Sequence, residues 1–175
     1  LYLALDRPAE AVPLFERAVA QAGDAAGWAD WLRYGAALDR AGRWKEARAA
    51  LERARTLRPD EPIVLNYLGY AMVEHGESGA RAMLEQAVRL KPDDAAIADS
   101  LGWALFRGGE VARALPLIER AAQAEPDSVE IAEHLGDVYW ASGRRFEARY
   151  AWTAARQTAE PAVAERLTTK IADGL

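Results

Sequence analysis

The sequence contains no cysteine and only two histidines, His75 and His134. Disulfides, cysteine-ligated zinc and thiol catalysis are thereby excluded, and so is a histidine-rich metal site. Basic residues do not dominate. The balance is 22 Lys and Arg against 27 Asp and Glu, a formal charge of −5. That is the opposite of the footprint of a nucleic-acid binder, and no nucleic-acid partner is expected. No apolar run reaches the ~20 residues of a membrane span, so no direct membrane insertion is expected. Hydrophobic residues make up 51% of the chain, too many for a disordered polymer. The excess is in alanine, 39 of 175 residues. Alanine is the best helix former. It is also small enough to let two helices approach closely. Its placement therefore matters more than its amount.

The placement is periodic. Tyr34-Gly35, Leu68-Gly69, Leu101-Gly102 and Leu135-Gly136 recur at spacings of 34, 33 and 34 residues. A second glycine follows seven residues later each time, at Gly42, Gly76, Gly109 and Gly143. Then come Ala47, Ala80, Ala114 and Ala148, the large residues Leu51, Leu84, Ile118 and Trp152, and Ala54, Ala87, Ala121 and Ala155. Pro59, Pro92 and Pro126 close the unit, with Pro161 one position late.

A period of this length predicts stacked helix pairs, A and B, of about 12–14 residues each. Small residues belong where helices touch, because bulk there would push them apart. The second glycine falls where a helix C-terminus needs positive φ. Asp60, Asp93 and Asp127 or Ser128 are expected to cap the helix that follows. His75, at a helix C-terminus, is expected to meet free carbonyls and the helix dipole.

Four registered copies with seven shared positions resemble the tetratricopeptide repeat family. The resemblance implies an all-α, right-handed α-solenoid of antiparallel helix pairs, about four and a half repeats, with a C-terminal capping helix. Full repeats are expected at 28–61, 62–94, 95–128 and 129–162, the second one residue short between Gly76 and Ala80. In residues 1–27, Tyr2, Ala11, Phe15 and Ala18 match the later half of a fifth unit, with a long turn over 19–27. The chain is thus expected to begin inside a helix, as a fragment lacking its N-terminal part. Over 162–175, Val163, Leu167 and Ile171 fall four apart on one face of a capping helix. Glu165, Arg166, Thr169 and Lys170 are expected on its polar outer side.

The resemblance also implies a concave groove lined by helix A. Its candidate side chains are Arg33 and Arg40, then Asn66, Tyr67, Tyr70 and Glu74. Further along come Asp99, Ser100, Trp103 and Arg107, and finally Glu133, His134, Asp137 and Trp140. Aromatic anchors beside adaptable polar groups suit a peptide or a partner protein. Asn66 can both donate to and accept from a peptide backbone. The alternative is that the aromatics pad contacts between adjacent A helices, the reading preferred for Phe106. Trp31, Trp44, Trp152 and Phe15 are read as core. Arg33 and Arg40 at one end, and Asp99, Glu133 and Asp137 toward the other, imply a partner of mixed charge whose basic part lies toward the C-terminal repeats. The family's clamp for chaperone C-terminal tails is not matched, because Tyr70, Ser100 and Glu130 or His134 stand where it needs other residues.

No catalytic residue, metal or cofactor is expected. Glu133 and Asp137, one turn apart beside His134, do not close a metal site on one helix. The function read from the sequence is a non-catalytic binding scaffold. Self-assembly through Tyr2, Leu3 and Leu5, or service as the regulatory part of a larger enzyme, are the alternatives. The stretches Asp99–Arg107 and Glu133–Trp140 also resemble repeat adaptors of proteobacterial envelopes. That resemblance implies a periplasmic or outer-membrane-associated location, with cytoplasm as the alternative.

Overall fold

A computed structural model describes residues 8–175. Among the described residues there are ten α-helices and one short 3₁₀ turn, with no strand. The chain divides into two compact units, with the boundary between Leu90 and Lys91.

The first unit holds α1 (Pro8–Ala22), α2 (Trp28–Arg40), α3 (Trp44–Leu57), α4 (Pro62–Glu74) and α5 (Ala80–Leu90). Each helix packs on the next, and α2 also touches α4. The expected long turn is shorter than the sequence implied, because α1 runs on to Ala22 and a 3₁₀ turn occupies Gly23–Ala25. Ala11, Val12, Ala37, Leu38, Ala47 and Ala50 form a buried cluster, with Phe15, Trp31, Tyr34 and Trp44 packed against it. The second repeat, one residue short, also has the shorter B helix: α5 has 11 residues against 14 in α3. Tyr2, Leu3 and Leu5 lie outside the described residues.

The second unit holds α6 (Ala95–Arg107), α7 (Val111–Ala124), α8 (Val129–Ala141), α9 (Arg145–Thr158) and α10 (Pro161–Asp173). Again successive helices pack, and α6 touches α8.

Both sets of glycines do what their spacing implied. A Cβ on Gly35, Gly69 or Gly102 would stand 2.7, 2.8 or 2.5 Å from Leu51, Leu84 or Ile118. On Gly136 it would collide with the Trp152 indole. The large B-helix residue therefore packs directly on the A-helix backbone. Gly42, Gly76, Gly109 and Gly143 have φ of 74°, 68°, 81° and 80°. The next residue's N–H reaches back five residues in each case, as in Arg43 to Leu38 at 2.9 Å. This closes the A helix with a left-handed residue that glycine adopts without strain.

The caps differ from expectation. Asp94, rather than Asp93, accepts from the Ile97 N–H at 3.1 Å, and Ser128 accepts from Ile131. Asp60 instead accepts from Gln86 at 2.7 Å, and α4 starts at Pro62, whose missing N–H removes one of the donors a cap would satisfy.

Candidate functional site

The helix-A residues singled out by register separate into two kinds. In the first unit they sit at the surface. Arg33, Arg40 and Glu74 are exposed, and Asn66, Tyr67 and Tyr70 are half-buried. Arg33 faces Asp30 one turn earlier at 3.6 Å, an exposed pair that contributes little to stability. Asn66 stands out. Its side-chain oxygen is buried and has no hydrogen-bond partner. An unmet buried acceptor carries a desolvation cost that an incoming N–H would remove.

In the second unit the corresponding polar residues are turned inward. Asp99, Ser100, Glu133, His134 and Asp137 are all buried. His134 Nδ1 on α8 lies 2.8 Å from Asp99 Oδ2 on α6. The imidazole stacks on Trp103, centroids 4.0 Å apart, and Trp103 in turn tilts against Phe106 at 5.2 Å. Arg107 is exposed, its guanidinium 5.7 Å from the Trp103 centroid. Burial opposes the imidazolium, but the hydrogen bond and charge of Asp99, helped by Glu130 and Asp137, raise the His134 pKa. Ser100 donates to the Ala96 carbonyl. Trp103 is thus held in a contact between the A helices of this unit, with Phe106 beside it on α6.

The acidic end has its own counterions. Lys170 on α10 donates to Glu133 at 2.7 Å and to both Asp137 oxygens at 2.7 and 2.8 Å. Arg166 grips Glu133 through Nε and Nη2 at 2.8 and 2.7 Å. Trp152 donates its indole N–H to Asp137 at 2.9 Å. Glu133 is opposed by its burial, yet these cations lower its pKa to about 2. Asp137 goes the other way, raised by burial and by the neighbouring Glu133, with Lys170 and Trp152 only partly compensating. The sequence placed Arg166 and Lys170 on an outer polar face. They instead reach back, because Leu167 between them is fully buried against Ala148, Trp152 and Ala155. Trp140 packs on Trp152, lies under Arg145 and Arg149 at 5.0 Å, and is covered by Gly174. Arg149 ties the end of α10 by donating to the Ile171 carbonyl at 2.8 Å.

His75 is also placed differently from its sequence reading. Its Nε2 lies 2.9 Å from Asp39 rather than on helix carbonyls, and its ring stacks on Trp44 at 4.2 Å. The Trp44 indole donates to Glu77 at 2.8 Å, and Arg48 pairs with the same carboxylate. Among the described residues, no group of three or more His, Cys, Asp or Glu is placed to hold a metal ion. No helix among them is long and apolar enough to cross a membrane.

Sequence register passed over one surface. Ala122, Pro126, Leu135, Tyr139, Phe146 and Tyr150 are among the residues lining an apolar groove of about 490 Å³ beside α9. The signal was present in the repeat alignment: Tyr150 stands where other repeats have Ala49, Ala82 and Pro116.

Two family models, both described as tetratricopeptide repeat, match the sequence, one over residues 28–71 and one over 78–129 and 100–164. The chain belongs to the tetratricopeptide repeat family. Its fold is similar to that of a thermophilic TPR protein from Thermus thermophilus (22% identity, TM-score 0.81, covering 97% of this chain and 93% of that one). PilF of Pseudomonas aeruginosa is similar at 17% identity and TM-score 0.71, covering 99% of this chain and 80% of that one. MamA from Desulfovibrio magneticus RS-1 is similar at 19% identity and TM-score 0.68, covering 89% and 88%. No curated protein sequence matches the chain. The fold class is accordingly an all-α solenoid of helix pairs, typically a protein-interaction scaffold.

Proposed function

We propose that this protein is a non-catalytic scaffold that captures an extended peptide, or an exposed segment of a partner protein, on the helix-A face of its first unit. The observation that supports this is Asn66, with its unmet buried side-chain oxygen, followed on the same helix by the half-buried Tyr67 and Tyr70. An amide that gains a partner only on binding, next to two rings with two torsions each, gives affinity at small ordering cost. Arg33 and Arg40 on α2 and Glu74 on α4 add exposed charge of both signs around these residues. In the second unit, Asp99, Ser100, Trp103, Glu133, His134, Asp137 and Trp140 serve mainly to fix the helices, and Arg107 is exposed beside Trp103.

The finer reading is an adaptor in a bacterial envelope complex, such as a protease or cell-wall enzyme assembly. It rests on the resemblance carried by Asp99–Arg107 and Glu133–Trp140. Selection from a displayed random-peptide library tests the coarser reading. Selected peptides should lose binding to Asn66→Ala and Tyr70→Ala proteins that keep their helicity. Peptides that bind both variants as well as the parent protein would sink it. Fractionation of the host cell, with the full-length product traced by antibody, tests the location.

A further inference from the structure

The outer face of α9 breaks the repeat pattern. Phe146 and Tyr150 are 82% and 73% exposed, the most exposed large hydrophobics among the described residues. Ala154 follows four residues later, so the three form one stripe on a helix. The equivalent positions elsewhere hold Lys45, Ala49 and Arg53, or Ala112, Pro116 and Arg120. Nothing in helix-pair packing asks for two aromatics here. Both line the groove of about 490 Å³ whose floor includes Ala122, Ala132 and Ala151.

The stripe is complementary to itself. Turned antiparallel about an axis at Tyr150, it sets Phe146 of one copy against Ala154 of the other, large against small, with the two Tyr150 rings side by side. The charges follow the same symmetry. Because α8 and α9 run in opposite directions, Pro126 closes the groove at the Ala154 end, flanked by the exposed carboxylates Glu125 and Asp127. The exposed Arg145 stands beside Phe146 at the other end. An antiparallel pairing brings the basic end of each copy to the acidic end of the other.

We infer that a second copy of this chain docks on α9, with Phe146 of each entering the apolar groove of its partner across a two-fold axis at Tyr150. Two rings and the groove wall offer about 500 Å² per copy, less than the roughly 800 Å² of a standard interface. The association is therefore weak and concentration-dependent, with a dissociation constant of about 10–100 μM.

Sedimentation of the whole chain across a concentration series up to about 500 μM is the test. The weight-average mass should climb from 19.2 kDa toward twice that value. Tyr150→Asp and Phe146→Asp should each remain monomeric over the range, while Leu57→Asp, on an exposed residue of the first unit, should not change the curve. Circular dichroism should show the Phe146 and Tyr150 variants as helical as the parent, since those side chains are largely solvated. Arg145→Glu should weaken pairing several-fold, and adding Glu125→Arg and Asp127→Arg should restore it. A parent chain that stays monomeric throughout would overturn the inference. So would a dimer indifferent to both aspartate variants, or a charge reversal that does not restore pairing. If the parent is monomeric yet binds anilinonaphthalene sulfonate in a Tyr150-dependent way, the groove serves a different apolar partner and self-pairing is wrong.

Discussion

His134 on α8 and Asp99 on α6 share a 2.8 Å contact with both side chains buried, and Trp103 lies flat against the imidazole. This pair locks two A helices of the second unit. It also makes that unit sensitive to pH. The folded pKa of His134 is raised above its unfolded value, despite burial, by Asp99 and then by Glu130 and Asp137. Its contribution is thus complete below the unfolded pKa, near 6.5, and is lost as pH rises through the folded pKa. The melting temperature of the parent should decline over that interval, and the decline should be absent in His134→Gln. An NMR titration of the ring should place its midpoint above about 6.5 in the parent. Asp99→Asn should lower that midpoint and destabilise by about 3–5 kcal/mol in chemical denaturation.

Glu133 supplies the opposite sign. Its folded pKa of about 2 lies below the unfolded value, because Arg166 and Lys170 outweigh its burial. Its contribution is present above about pH 4.5 and falls away as pH drops toward the folded value. Hydrogen-exchange protection factors in α10 should therefore fall on acidification, and Glu133→Gln should remove most of that dependence. Lys170→Ala removes the cation from buried Asp137 while Glu133 keeps Arg166, and should cost about 3 kcal/mol at neutral pH.

The glycines of the A helices are fixed by close approach. Gly102→Leu must displace Ile118 from the α6 backbone and should destabilise by roughly 1–3 kcal/mol in urea titration. Gly109 has open space around it but a φ of 81°. Gly109→Ala should cost about 1 kcal/mol, through backbone strain alone.

Tyr70 and Trp103 should part company. Trp103 is only 8% exposed and stacks on His134, so Trp103→Ala should lower stability by about 3–5 kcal/mol. Tyr70 is half-buried on α4. Tyr70→Ala should weaken peptide capture while the thermal melt stays nearly unchanged. A Tyr70→Ala protein that melts as early as Trp103→Ala would show that the ring is structural.

Much of this fold was legible in the sequence. The spacing of Gly35, Gly69, Gly102 and Gly136 reports contact between the two helices of a pair, and contact at fixed intervals leaves a periodic trace. The alanines at Ala47, Ala80, Ala114 and Ala148 are dictated the same way, whereas the positive-φ glycines recur because each A helix ends in the same left-handed turn. All four of those alanines are buried, three of them fully and Ala80 4% exposed. Composition had shown only an alanine-rich, cysteine-free chain; register gave the alanines a place.

What the tertiary structure decided was the use of side chains that register alone leaves ambiguous. A repeat position states which helix face a residue occupies, but not what sits opposite. Glu133 and Asp137 read as groove acids until Leu167 sinks into the core and carries Arg166 and Lys170 onto them. Asp99 and His134, 35 residues apart, read as separate polar candidates until α6 packs on α8. Asn66 keeps its buried amide oxygen unmet, as Asp99 does with its second oxygen, but no charged partner reaches it from another helix. Local sequence fixes helices and their small-residue contacts because those forces act within one repeat. The partners of charged groups depend on elements brought together only by folding.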